Sequence, residues 1–128
     1  MKVGEVANSR LVTLEEGSSL RHAAQALSEE EVGAVVVFGA RGMVGVFSER
    51  DLARAIADEA DLDEVEVGEY MTASPLVISA GSSLRRAAAK MDEFGVRHLV
   101  VLDGDDPISM ISMRDIIHAT ARRSAVSA

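Results

Sequence analysis

The 128-residue chain aligns with itself, without a gap, when the sequence is shifted by 64 positions. The segment GSSLR that begins at Gly17, for example, recurs unchanged at Gly81. Of the 64 aligned pairs, 19 are identical, far more than unrelated segments share. A repeat of this length is one supersecondary unit, so the fold must be two copies that bury their apolar faces together. We predict a first repeat over 1–64 and a second over 65–128, with the acidic segment 58–69 as their linker.

Each repeat predicts the element order β-α-β-β-α. Leu20, Ala23 and Leu27 fall on one helical stripe, and the β-branched run from Ala34 to Phe38 is typical of a buried strand. Turn sequences follow that run, so a hairpin is expected next. The fold class is therefore α/β (α+β), with tandem pseudo-twofold repeats whose sheets pack face to face. The predicted strands are 12–14, 34–38 and 43–47 with counterparts 76–78, 99–102 and 108–111, and the helices are capped at Ser18 or Ser82 and opened at Ser48 or Ser112.

Composition excludes several classes of protein. The chain has no cysteine, which excludes disulfides, thiolate nucleophiles and cysteine-based zinc sites. Its net charge is −8 without a compensating basic cluster, so neither nucleic acid nor an anionic membrane is an expected partner. The N-terminal residues lack the apolar core of a signal peptide, and the three histidines do not have metal-ligand spacing. We expect a soluble, cytoplasmic protein without a metal site.

The pattern Ser-x-x-Asp occurs twice, as Ser48 with Asp51 and as Ser112 with Asp115, at a predicted strand-to-helix corner. One interpretation is structural: the serine caps the helix, and the aspartate reaches back to the cap amide. The other is functional, because a helix N-terminus with a hydroxyl group can bind an anion and a carboxylate can bind a ribose diol. A nucleotide presents both groups. Spacing alone favours the structural interpretation, and duplication does not separate the two.

As a whole the sequence resembles the CBS-domain pair, also called the Bateman module. The resemblance covers nearly the entire chain and includes EYMT at Glu69, SLRxAA in both repeats, GVRHLVVLD at Gly95 and G-h-x-[ST]-x-x-D at Gly45. It implies a module that requires no cofactor and binds adenosine-containing ligands such as AMP, ADP, ATP or S-adenosylmethionine. It also implies that the serine and aspartate of the last motif contact phosphate or ribose.

The resemblance further implies that each ligand cleft borrows the opening strand of the other repeat. Two residues before each serine, Val46 and Met110 would pack on the base or sugar. The alternative is that these apolar residues simply belong to the hydrophobic core. That role is the more frequent one for apolar residues. The implied lining residues are Leu76 and Val77 beside Asp51, and Asn8, Val12 and Thr13 beside Asp115.

The repeats differ at three positions that bear on ligand binding. The second repeat has Arg97 and His98 where the first has Gly33 and Ala34. A guanidinium group suits phosphate, so we expect Arg97 to be the main phosphate contact and one site to be stronger than the other. His98 joins the candidate ligand-binding residues, although a structural role is the commoner one. The second repeat also departs from the family at Ser109, where the family prefers glycine for close backbone approach.

These observations favour a non-enzymatic regulatory module that senses adenine nucleotides and signals to an unidentified partner protein. The alternative is a CBS-fold interaction or scaffold protein without a nucleotide ligand. A hydrolase built from Ser112, His98 and Asp115 is a distant third hypothesis, because Ser-x-x-Asp within one helical turn does not direct the aspartate at a distant histidine. A homodimer is also expected, since five apolar residues on the second helix of each repeat exceed what one chain readily covers: Leu52, Ala55, Ile56, Ile116 and Ile117.

Overall fold

A computed structural model describes residues 1–7 and 11–127, with side chains described to residue 123. The described chain forms two compact units, the central unit of Val12–Pro75 and the terminal unit of Met1–Leu11 with Leu76–Ala128. The elements are, in chain order, α1 (Val3–Val6), β1 (Thr13–Glu15), α2 (Leu20–Glu29), β2 (Ala34–Gly39), β3 (Gly42–Ser48), α3 (Glu49–Ala57), a 3-10 turn (Val67–Glu69), β4 (Thr72–Ala73), β5 (Val77–Ser79), α4 (Leu84–Phe94), β6 (His98–Asp103), β7 (Asp106–Ser112) and α5 (Met113–Ser127).

The predicted order β-α-β-β-α is confirmed in both repeats. In the described part of the central unit, the sheet order is β1-β2-β3-β4, with β1 parallel to β2 and the other neighbours antiparallel. In the described part of the terminal unit, β5-β6-β7 follow the same pattern. Each hairpin contains a register shift at the same place, between Val37 and Phe38 and between Val101 and Leu102.

Each sheet packs one face against its two helices. Residues that alternate along the central strands, such as Val35, Val37 and Phe47, join Leu20 and Leu27 of α2 in one apolar cluster. The terminal unit builds the equivalent cluster from Leu84, Met91, Leu99, Val101 and Ile111. Because aromatic residues are scarce, the core consists mainly of aliphatic side chains and methionine. Phe47 is the one fully buried aromatic residue among the described side chains.

The first helix of each repeat begins one residue later than predicted. The caps are Ser19, whose Oγ accepts the His22 amide at 3.1 Å, and Ser83, whose Oγ accepts the Arg86 amide at 3.1 Å. The prediction of Ser18 and Ser82 as caps is wrong by one position. The carbonyl groups of Ser18 and Ser82 have another partner, since they accept the amides of Val67 and Val3 at 2.7 and 2.8 Å.

Those two hydrogen bonds also show how the compact units relate to the sequence repeats. Val67, at the start of the second repeat, is fully buried in the central unit, and Val3, at the start of the first repeat, is fully buried in the terminal unit. The compact units therefore divide at residues 11 and 75, whereas the sequence repeats divide at residue 64. Each unit takes its opening segment from the repeat that supplies the other unit.

The apolar residues expected to drive dimer formation do not all face solvent. Ala55 and Ile116 are buried in the cores of their units, and Leu52 packs against the central core. Ile56 and Ile117 remain exposed, at 57% and 58%. Among the described residues, no helix combines the length and hydrophobicity that a membrane crossing requires.

Candidate functional site

The central unit places Ser48 and Asp51 together where β3 passes into α3. The Ser48 amide donates to Asp51 Oδ2 at 2.9 Å, and the Ser48 hydroxyl donates to the same oxygen at 3.1 Å. The Asp51 amide in turn donates to Ser48 Oγ at 3.3 Å. These contacts make a complete capping box, so the structural interpretation of the motif is confirmed for this corner. The capping box alone does not decide between the two interpretations, because its hydrogen bonds to the carboxylate engage only Oδ2.

The other oxygen of Asp51 has two further donors. Arg54 Nη2 lies 3.2 Å from Asp51 Oδ1, and the Thr72 hydroxyl lies 3.5 Å from it. The carboxylate is 4% exposed, whereas the Arg54 side chain is 52% exposed. Arg54 Nη2 also donates to the Tyr70 carbonyl at 2.8 Å, and the guanidinium lies 5.8 Å from the centre of the Tyr70 ring. The buried carboxylate is therefore charge-compensated by Arg54.

Tyr70 is itself fixed at its far end. Its hydroxyl donates to Asp58 Oδ2 at 3.0 Å, just beyond the end of α3. That hydrogen bond, followed by desolvation and the charge of Asp58, raises the pKa of Tyr70 above its usual value. A chain of polar contacts thus runs from Asp51 through Arg54 and Tyr70 to Asp58 along one side of α3.

Gly45 allows residues 71–73 to come close to β3. β4 pairs with β3 at Gly45–Ala73 and Val46–Thr72. A Cβ atom at Gly45 would lie 2.6 Å from Met71 Sδ and 2.7 Å from the Thr72 carbonyl oxygen. Glycine is therefore required here by close backbone approach, as the family preference implies.

The terminal unit repeats the corner with Ser112 and Asp115 but not its surroundings. The Ser112 amide donates to Asp115 Oδ2 at 2.8 Å, and the Asp115 amide donates to Ser112 Oγ at 3.1 Å. Asp115 is half-buried, and the position that corresponds to Arg54 is His118, which is exposed. Ser109, in the place of Gly45, is 4% exposed. Asn8, the residue in the place of Thr72, lies outside the described residues.

The other sequence-predicted residues fall in both units. Val46 and Met110 are half-buried on strands β3 and β7, and alternation puts them on the opposite sheet face from Phe47 and Ile111. Leu76 and Val77 belong to the terminal unit, whereas Asp51 belongs to the central unit. Val12 and Thr13 belong to the central unit and line a hollow of about 250 Å³ beside α2, whereas Asp115 belongs to the terminal unit. The proposed grouping of these residues into two clefts stays a prediction.

Arg97 lies one residue before β6, which begins at His98. Its side chain is exposed, and its carbonyl accepts the amide of Met113 at 2.9 Å, next to the Ser112 corner. With Met91, Val96 and Met113, it lines a hollow of about 290 Å³ in the terminal unit. His98, half-buried, begins β6 directly opposite Ser112 in the β6–β7 register. Arg97, His98 and Ser112 are thus neighbours within one unit.

Within the described residues, no cluster of three histidine or acidic side chains is placed to hold a metal ion.

Sequence reasoning missed three residues at the Asp51 corner: Arg54, Tyr70 and Thr72. One signal pointed to them. The second repeat opens with Tyr70-Met71-Thr72 where the first has Val6-Ala7-Asn8, and Arg54 stands opposite His118, so the repeats differ at the very positions that surround the carboxylate.

Comparison with known proteins decides the family. The model of the CBS domain matches residues 3–58 and again residues 67–122. The chain belongs to the CBS domain family. The solved structures similar to it include a CBS domain protein from Pyrobaculum aerophilum complexed with AMP, with 27% identity, a TM-score of 0.83 and coverage of 95% of this chain and 99% of the other.

A putative signal-transduction protein with CBS domains from Burkholderia ambifaria is 28% identical, with a TM-score of 0.88 and coverage of 94% and 93%. An uncharacterized protein of Methanocaldococcus jannaschii is 28% identical over 116 residues, which are 90% of this chain. The chain spans 41% of the length of that relative. These likenesses confirm a pair of CBS domains and the mixed α/β fold with two sheets.

Proposed function

We propose that this CBS pair is a non-enzymatic regulatory module that binds an adenosine-containing ligand and transmits its occupancy to a partner protein. The observation that carries the proposal is the serine–aspartate corner, built twice with the same capping hydrogen bonds at the start of α3 and α5. A hydroxyl group and a carboxylate at a helix N-terminus are the two groups that a ribose phosphate needs.

The terminal corner is the better candidate for the occupied site. Asp115 is half-buried and so accessible to a ribose diol, and Arg97 stands beside the same corner with an exposed guanidinium group. A forked guanidinium pairs well with phosphate, so AMP or another adenine nucleotide is the preferred ligand. The P. aerophilum relative complexed with AMP supports the same ligand class.

A thermal shift series tests the proposal. The full chain is melted alone and with adenosine, AMP, ATP and S-adenosylmethionine. A ligand at a hundred times its dissociation constant adds about 2.7 kcal/mol to the free energy of unfolding. The matched control is Asp115→Asn, which keeps an acceptor for the cap amide and loses the carboxylate. Stabilisation of the wild type that disappears in this variant supports the proposal; no stabilisation by any of the four compounds leaves the scaffold hypothesis.

We also propose that two chains associate, because Ile56 and Ile117 each expose more than half of their surface on α3 and α5. Burial of such side chains is favourable by roughly 1.5–3 kcal/mol each. Light scattering at micromolar concentration should report twice the 13.6 kDa chain mass. The double variant Ile56→Lys with Ile117→Lys should give the mass of one chain, and a wild-type monomer would contradict the proposal.

A further inference from the structure

The carboxylate of Asp51 has no acceptor site left for a ligand. A carboxylate offers two oxygens and about four lone-pair sites. Within the described residues, Oδ2 accepts the Ser48 amide and hydroxyl at 2.9 and 3.1 Å, and Oδ1 accepts from Arg54 at 3.2 Å and from the Thr72 hydroxyl at 3.5 Å. A ribose diol brings two more O–H donors. It can bind this carboxylate only if donors already present leave.

Two donors must leave to admit a diol, and the two on Oδ1, Arg54 and the Thr72 hydroxyl, can leave most readily. The Ser48 amide is held by the capping box and cannot leave without loss of the α3 start. The Arg54 side chain is 52% exposed, so water can solvate its guanidinium once it moves away. Departure of Arg54 and the Thr72 hydroxyl frees Oδ1, which is the oxygen that faces away from the cap.

Arg54 also holds the opening segment of the second repeat, at Tyr70. The same nitrogen, Nη2, contacts Asp51 and donates to the Tyr70 carbonyl, and the guanidinium lies over the Tyr70 ring. A ligand that displaces Arg54 from Asp51 therefore loosens residues 70–73 from α3 and β3.

The terminal unit supplies the comparison. At the same helical spacing from Asp115 it has His118, which is exposed and makes no contact with Asp115 among those that the described residues show. We propose that Arg54 closes the Asp51 corner to ribose, so that a ligand binds there only by displacing Arg54, which releases the segment 70–73. This inference rests on the proposed adenosine-binding function and adds a specificity-determining residue to it.

Calorimetric titration of the full chain with adenosine tests the proposal. Arg54→Met keeps the length of the side chain and removes its charge, whereas Arg54→Lys keeps the charge. We expect Arg54→Met to gain an adenosine site, or to bind at Asp51 about tenfold more tightly than the wild type. The gain should vanish when Asp51→Asn is added, and Arg54→Lys should behave as the wild type does. Arg41→Met, on the exposed β2–β3 turn, is the control for loss of one positive charge.

The reciprocal change should close the other corner. His118→Arg places a guanidinium three residues after Asp115, as Arg54 follows Asp51. We expect adenosine binding that depends on Asp115 to weaken about tenfold, whereas His118→Ala leaves it unchanged. Equal effects of the two His118 variants would argue against competition for the carboxylate.

A measurement without ligand distinguishes failure of the proposed role of Arg54 from failure of the proposed function. Amide hydrogen exchange of residues 70–73 should be faster in Arg54→Met than in Arg54→Lys. If the wild type binds adenosine and Arg54→Met neither gains a site nor exchanges faster, the role of Arg54 is overturned while the proposed function stands. If neither the wild type nor any variant binds adenosine, the proposed function fails, and the closing role fails with it.

Discussion

The two serine–aspartate corners have the same backbone hydrogen bonds and different surroundings. Asp51 is 3% exposed, accepts four donors and is paired with Arg54. Asp115 is half-buried and, among the described contacts, accepts the Ser112 amide. Duplication copied the capping device, because the device needs only a serine and an aspartate at fixed spacing. The two other residues that contact the carboxylate, Arg54 one turn along α3 and Thr72 on β4, were not copied. The capping box and a ligand site can therefore share the same serine and aspartate, and the residues around the carboxylate can change while the capping box is kept.

The largest expected difference between the corners is in how much each aspartate contributes to the free energy of unfolding. Asp51→Ala removes the buried acceptor of the Ser48 amide and hydroxyl, so it should lower the free energy of unfolding by about 3 kcal/mol. Asp115→Ala removes one cap partner from a half-exposed corner and should cost about 1 kcal/mol. Urea unfolding of both variants measures the difference. Asn at either position keeps an acceptor for the cap amide and should recover part of the loss. Equal losses would mean that Arg54 and Thr72 contribute nothing to the central corner.

The close approach of β4 gives the next largest effect. Gly45→Ala puts a Cβ within 2.7 Å of the Thr72 carbonyl oxygen, which is backbone and cannot swing away. Overpacking of this kind costs roughly 1–3 kcal/mol. In the terminal unit the same position already holds a Cβ, so Ser109→Ala should cost less. Gly17→Ala is the matched control, because its Cβ would meet no atom nearer than Glu66 Oε1 at 3.9 Å. Unfolding free energies that are equal for Gly45→Ala and Gly17→Ala would contradict the contact.

The two corners should also differ in phosphate binding, because of Arg97. Its counterpart in the first repeat is Gly33, which offers no cation. Since a charged hydrogen bond contributes about 1.5–3 kcal/mol, Arg97→Ala should weaken AMP binding about tenfold or more. Adenosine lacks the phosphate, so its affinity should barely change. Arg86→Ala, an exposed arginine on α4, is the control for net charge. Equal losses for AMP and adenosine would show that Arg97 shapes the site and does not contact phosphate.

Much of this fold could be predicted from the sequence, because the repeat and its apolar periodicity are local signals. The order β-α-β-β-α and the corners at Ser48 and Ser112 follow from such signals. The caps at Ser19 and Ser83 were missed by one residue, because the competing use of the Ser18 and Ser82 carbonyls depends on residues about 50 to 80 positions away.

The surroundings of the candidate site could not be predicted in the same way. Thr72 reaches Asp51, and Tyr70 reaches Arg54, only because the opening segment of the second repeat folds into the unit of the first. That exchange of segments is a property of tertiary packing, and no local spacing encodes it. The difference between Tyr70-Met71-Thr72 and Val6-Ala7-Asn8 marked the right positions without indicating their partner.

The smallest expected effect concerns Tyr70, which joins the opening segment of the second repeat to Asp58. The hydrogen bond to Asp58 raises the pKa of Tyr70 in the folded chain. A raised pKa means that the contribution to stability is fully present below the pKa of the unfolded chain, about 10, and is lost as the pH rises through the folded value. Tyr70 is the one tyrosine of the sequence, so the ultraviolet absorbance of phenolate reports its ionisation directly. We expect Asp58→Asn to lower that pKa towards its ordinary value. We also expect the stability difference between the wild type and Tyr70→Phe to be constant from pH 7 to about 9 and to shrink at higher pH. A difference that stays constant through the ionisation would show that the phenol does not hold the opening segment of the second repeat, and residues 70–73 would then depend on Arg54 and β4 pairing alone.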